Sequence, residues 1–79
     1  MKYRKKPVVI EAVRWTGSMQ PIIDLLGHDL PTGGNGSIIV MTPEGNMECH
    51  IGDWIIKGVK GEFYPCDPDI FELTYEEVE

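Results

Sequence analysis

Cys49 and His50 stand side by side, and a thiol next to an imidazole is a pairing that nucleophilic catalysis uses. On a strand, however, adjacent residues point to opposite faces, whereas an activated thiolate needs its imidazole within hydrogen-bond reach. The two are therefore not expected to act as a dyad. A metal site would need Cys49, Cys66, His50 and His28 to converge from separate segments, because no pair of them has ligand-like spacing. Glu44, Glu48, Glu62, Asp67 and Asp69 offer carboxylates for acid and base work, but Asp67 and Asp69 already suit a helix start. Glu72, Glu76, Glu77 and Glu79 read as the charged face of a terminal helix. The chain has no phosphate-cradling glycine motif, no zinc-ligand spacing and no nucleophile elbow. The expectation is no enzyme, no catalytic residues, no metal and no cofactor. A metal or thiol hydrolase built on Cys49, Cys66 and the histidines is the residual enzymatic alternative.

Binding chemistry is better represented. Trp15, Trp54 and Tyr64 offer planar surfaces, while Arg4, Arg14, Lys57 and Lys60 offer cations on a molecule of net charge −6. Stacking plus charge pairing is how proteins hold nucleotides. The candidate ligand-binding set is thus Trp54, Lys57, Lys60, Tyr64, Arg14 and Trp15. The competing reading places both tryptophans in the core, and for Trp54 burial is the reading to expect. An exposed aromatic face also serves as a subunit contact.

These residues must be positioned by a small set of elements. Residues 8–15, rich in β-branched side chains and bounded by Pro7 and Thr16, predict a first strand, central or covered on both sides. Ser18 is placed to cap a helix of about two turns that Gly27 stops. Residues 27–37 form a glycine-dense loop. Ser37–Thr42 reads as a strand, Pro43–Asn46 as a turn and Met47–His50 as the returning strand. At Gly52 and Asp53 a tight turn is expected, with the aspartate bonding back to the local backbone. Trp54–Val59 follows as a strand. With Lys60 and Gly61 as a two-residue hairpin turn, Lys57 falls opposite Tyr64, Ile55 opposite Cys66 and Ile56 opposite Pro65. That register makes Lys57, Tyr64 and Glu62 one solvent-facing patch and puts Ile56 in the core. Asp67 and Pro68 open a terminal helix whose stripe is Phe71, Tyr75 and Val78, with Ile70 and Thr74 at its edge.

The 79 residues allow one hydrophobic core and a single domain, 1–79, since chains of this size bury only about 60% of their unfolded surface. Marginal burial makes a homo-oligomer the expected remedy. Apolar residues at 42% and charged residues at 25% place the chain in the globular class. Thirteen acidic residues against seven basic ones argue against a nucleic-acid duplex or an anionic membrane as partner. No apolar run nears the roughly 18 residues of a membrane span, and two cysteines are too few for a disulfide scaffold, so the expected location is cytoplasmic. The fold class is α+β: a small antiparallel sheet or partly open barrel of about five strands, with a short N-terminal helix and a C-terminal helix.

Gly52-Asp53-Trp54, the Lys57–Glu62 hairpin running into Phe63, Tyr64 and Pro65, and the Pro68–Phe71 segment leading to Thr74, Tyr75 and Glu76 carry a resemblance. Together with the opening residues 2–17, they resemble a family of small bacteriophage and prophage proteins. Ile51 departs from that pattern, where relatives commonly have proline, and residues 27–37 follow no shared pattern. The resemblance implies a phage origin and the host cytoplasm, and it brings no catalytic residues. By analogy it implies an accessory factor that counters host immunity by sequestering a small phosphorylated, nucleotide-derived signal in a homo-oligomer. The alternative is a protein-binding inhibitor of a host defence factor, or a phage structural accessory protein.

Overall fold

A computed structural model describes residues 1–4 and 8–78. Pro7, expected to bound the first strand, and Glu79, expected on the terminal helix face, lie outside the described residues. The fold is α+β. Its elements run β1 (Glu11–Arg14), α1 (Gln20–Leu26), β2 (Ile38–Thr42), β3 (Gly45–Cys49), β4 (Trp54–Lys57), β5 (Phe63–Cys66) and α2 (Pro68–Thr74). The five strands form two antiparallel sheets, β1-β4-β5 and β2-β3, and do not close into a barrel. No described helix is long and apolar enough to cross a membrane.

β4 is the central strand, and Ile55 and Ile56 are both buried although they point to opposite faces. Ile55 faces the main core with Trp15, Ile22, Leu30, Ile38, Val40 and Cys49, and Val13 and Phe63 pack against it. The core therefore sits between the two sheets, under α1. Ile56 faces the other way, level with Ala12 and Tyr64, toward α2.

β1 is shorter than expected and lies at an edge of its sheet, not at its centre. Ladder pairing with β4 starts only at Glu11 opposite Lys57, and Val8 and Val9 are exposed. Its apolar residues on both faces reflect the two layers beneath and above it: Val13 meets the core, and Ala12 lies on the α2 side.

Ser18 does not cap α1. Met19 occupies the N-cap in a helical conformation with no side-chain bond, and Pro21 in the first turn leaves one fewer amide to satisfy. Gly27 ends the helix in the left-handed conformation, φ 88°, as expected. The 27–37 loop is pinned rather than loose. It holds a 3-10 turn at Gly34–Gly36, pairs Thr32 with Ile38, and gives its Gly36 carbonyl to the Trp15 indole N–H at 2.9 Å. Ser37, fully buried, donates to Glu48 at 3.1 Å. The β2-β3 turn is tighter than expected, with only Pro43 and Glu44 between Thr42 and its partner Gly45.

The β4-β5 hairpin differs from expectation by one residue. Lys57 pairs with Phe63, Ile56 with Tyr64, Ile55 with Pro65 and Trp54 with Cys66. The loop has three residues, Val59, Lys60 and Gly61: the Gly61 amide donates to the Gly58 carbonyl, and the Gly58 amide to the Glu62 carbonyl. Gly61 at φ 83° supplies the left-handed step that ends such a three-residue turn. A one-residue slip exchanges faces, so Lys57 and Tyr64 lie on opposite sides of the sheet.

α2 begins as expected. The Asp67 carboxylate caps it, accepting from the Asp69 amide at 2.9 Å and the Ile70 amide at 3.3 Å, and Pro68 needs no partner at the first position. It ends earlier than expected: Tyr75 is already extended, φ −123° and ψ 151°, so Tyr75 and Val78 belong to a trailing segment rather than to a helical stripe. Seven residues with a single inward aromatic, Phe71, do not sustain a longer helix.

Candidate binding groove

Alternation along β4 sets Trp54 on the same side as Ile56, away from the core. α2 then lays Phe71 on the Trp54 indole, with ring centroids 4.0 Å apart and planes within 4°, and Phe71 in turn meets Tyr75 at 5.2 Å. A stacked aromatic pair contributes about 0.5–1.5 kcal/mol beyond its buried area. The three rings are half-buried and form the floor of a groove of about 380 Å³. One wall is Val8, Val9 and Ile10 running into Glu11 and Ala12, and the other is Glu76, Glu77 and Val78. Val9 is 76% exposed and Val78 69% exposed, so the walls offer apolar surface that the chain itself leaves uncovered.

Among the described residues the groove's charge is one-sided. Glu11, Glu76 and Glu77 line it, and no described lysine or arginine does. Glu11 already faces Lys57 across the ladder at 3.9 Å, which leaves Glu76 and Glu77 as the open carboxylates. β1 also contributes backbone. Trp15 bonds to Asp53 with its amide and to Gly52 with its carbonyl, so alternation turns Glu11 and Val13 toward β4, and Ala12 and Arg14 outward.

The six residues expected to bind ligand do not converge. Trp15 is 4% exposed, a core residue whose indole N–H is already used, and it offers no stacking surface. Lys57 and Tyr64 do not share a patch, because of the three-residue hairpin loop. Lys60 sits exposed at the tip of that loop, and Arg14 is exposed with its Nε bonded to the Gly52 carbonyl at 3.1 Å. Arg14, Trp54 and Tyr64 do fall on one face, the α2 side. The Tyr64 phenol is pushed above its ordinary value, first by burial and then by Glu44 and Glu62, so it stays neutral. Of the six, only Trp54 lines the groove. Sequence reading missed Val8–Ile10, Glu76 and Glu77 as a site and took Phe71 and Tyr75 as packing. The available signal was an apolar run, Val8–Ile10, with no polar alternation to bury it.

Catalytic alternatives find little support in the geometry. Cys49 is fully buried, and burial together with the nearby Asp53 charge pushes its thiol up to about 12, so no thiolate is present near neutrality. His50 points away into solvent between Glu48, 3.3 Å from Nε2, and Asp53, 3.6 Å from Nδ1. Asp53 also accepts the His50 amide at 2.9 Å, the local turn bond expected of it. Ser37 donates to Glu48 and not to the imidazole, so the cluster holds no nucleophile and base in contact. Among the described residues no group of three or more His, Cys, Asp or Glu is placed to hold a metal ion.

Compared with known proteins, the chain matches no family model, no curated protein and no solved structure.

Proposed function

We propose that this chain is a non-catalytic docking module whose groove holds an extended, apolar and cationic segment of a partner protein. The observation that carries this is the groove itself: a three-ring floor of Trp54, Phe71 and Tyr75 between exposed valines, rimmed by Glu76 and Glu77. Apolar side chains gain burial on the floor, and lysine or arginine gains complementary charge at the rim on a molecule of net charge −6. Capture of a phosphorylated signal, the other function expected of a phage accessory protein, needs cations where the described groove residues supply carboxylates. The family resemblance makes a host defence factor or a phage structural protein the natural class of partner.

The test compares a capped peptide of alternating valine and lysine with one of alternating valine and glutamate, and with ATP as the phosphorylated probe. The lysine peptide is expected to bind, to weaken as salt rises, and to bind less tightly to the Glu76→Gln, Glu77→Gln double variant. Binding of ATP in preference to the lysine peptide would return the function to ligand capture.

A further inference from the structure

Resting on that reading, we infer that the partner segment binds by strand addition, pairing its backbone with the free edge of β1. Among the described residues, the sheet order β1-β4-β5 gives β1 a neighbour on one side only. By the alternation described above, the amides and carbonyls of Ala12 and Arg14 project from the open side, and no described group bonds to them. β5, the other edge strand, packs against β2 and β3, so β1 is the accessible edge of this sheet.

The groove lies along this same edge. Ala12 is on the α2 side of the sheet, level with Ile56 and beside Trp54, and its single methyl leaves the space above the ring floor open. A segment hydrogen-bonded to Ala12 places its directly opposed side chain on that same side, over Trp54, Phe71 and Tyr75. Side chains at the neighbouring positions turn to the Glu11 side, and those two residues away run along the floor toward Glu76 and Glu77. Main-chain bonds supply affinity without regard to sequence, and the acid-rimmed aromatic floor selects an apolar, basic strand.

The experiment uses the capped valine-lysine peptide and two N-methylated versions, one methylated at odd positions and one at even positions, with the full-length protein. Strand addition uses only one set of peptide amides, so one version binds at least about tenfold more weakly while the other binds like the parent. Amide exchange at Ala12 and Arg14 slows on binding, and exchange at Glu11 and Val13, already paired with β4, changes little. If the peptide binds but both N-methylated versions bind equally and exchange at Ala12 and Arg14 is unchanged, strand addition is wrong and the groove reading survives. If the parent peptide does not bind, both fall. If the protein without peptide sediments as a dimer that already protects Ala12 and Arg14, the edge belongs to a second copy of the chain and the partner-strand proposal is overturned.

Discussion

The two faces of the β1-β4-β5 sheet are built from neighbouring residues and end in different states. On one face Val13, Ile55 and Trp15 are closed over by α1 and the β2-β3 hairpin, with Ile55 wholly buried. On the other face, among the described residues, Ala12, Ile56 and Trp54 meet a seven-residue helix and its trailing segment, and an open groove remains. The first face has two layers of partners available. The second depends on one short helix whose inward contribution is essentially Phe71. Where covering material runs out, a small domain keeps apolar surface exposed, and that surface is what a partner can use.

Substitutions should separate the faces. Trp15→Ala removes a core ring and the bond that pins the 27–37 loop; it should cost about 3–5 kcal/mol in urea unfolding, a large share of what a small domain has. Phe71→Ala should cost only about 1–2 kcal/mol, because the ring is half-buried, yet abolish binding of the valine-lysine peptide. A Phe71→Ala protein that unfolds like Trp15→Ala would show that the α2 face is core after all. Asp67→Ala, which strips the α2 cap, should cost about 1 kcal/mol and weaken peptide binding modestly through fraying of α2. Gly61→Ala forces a side chain into a left-handed turn and should cost about 1 kcal/mol with little effect on binding, since no residue of the hairpin loop lines the groove.

The remaining effect is confined to alkaline pH and belongs to the closed face. The Cys49 thiol titrates at about 12 when folded, against an ordinary value of 9.0, because burial and Asp53 oppose its charge. Its contribution to stability is therefore complete below pH 9 and is lost as pH rises toward 12, where the unfolded chain ionises first. Cys66 and Tyr64 are raised too and act in the same direction. The melting temperature should fall over this range, and Cys49→Ala should fall less steeply than the parent.

Local chemistry was legible in the sequence at several single residues, though not at Ser18, which does not cap α1. Gly27 as the helix stop, Asp53 as the turn acceptor, and Asp67 with Pro68 as a helix start all act within a few residues, and each is found where its side chain predicts. Register was not legible, because Lys60 and Gly61 fit both a two-residue turn and the last two places of a three-residue loop. The choice reverses the face of every following residue, and with it the proposed Lys57 and Tyr64 patch. The burial of Trp15 depends on Gly36, 21 residues away, which no local pattern encodes. The groove was hidden for the same reason: it joins residues 8–12 to residues 71–78, the two ends of the chain.

The two tryptophans sit one on each side of this division and give two separate indole N–H signals in a nitrogen-proton correlation spectrum. Titrating the valine-lysine peptide into labelled protein should move the Trp54 indole signal together with the amides of residues 8–12 and 71–78, while the Trp15 signal stays fixed. Movement of Trp15 with Trp54 unmoved, or no movement at either, would contradict the assignment of the α2 side as the binding face.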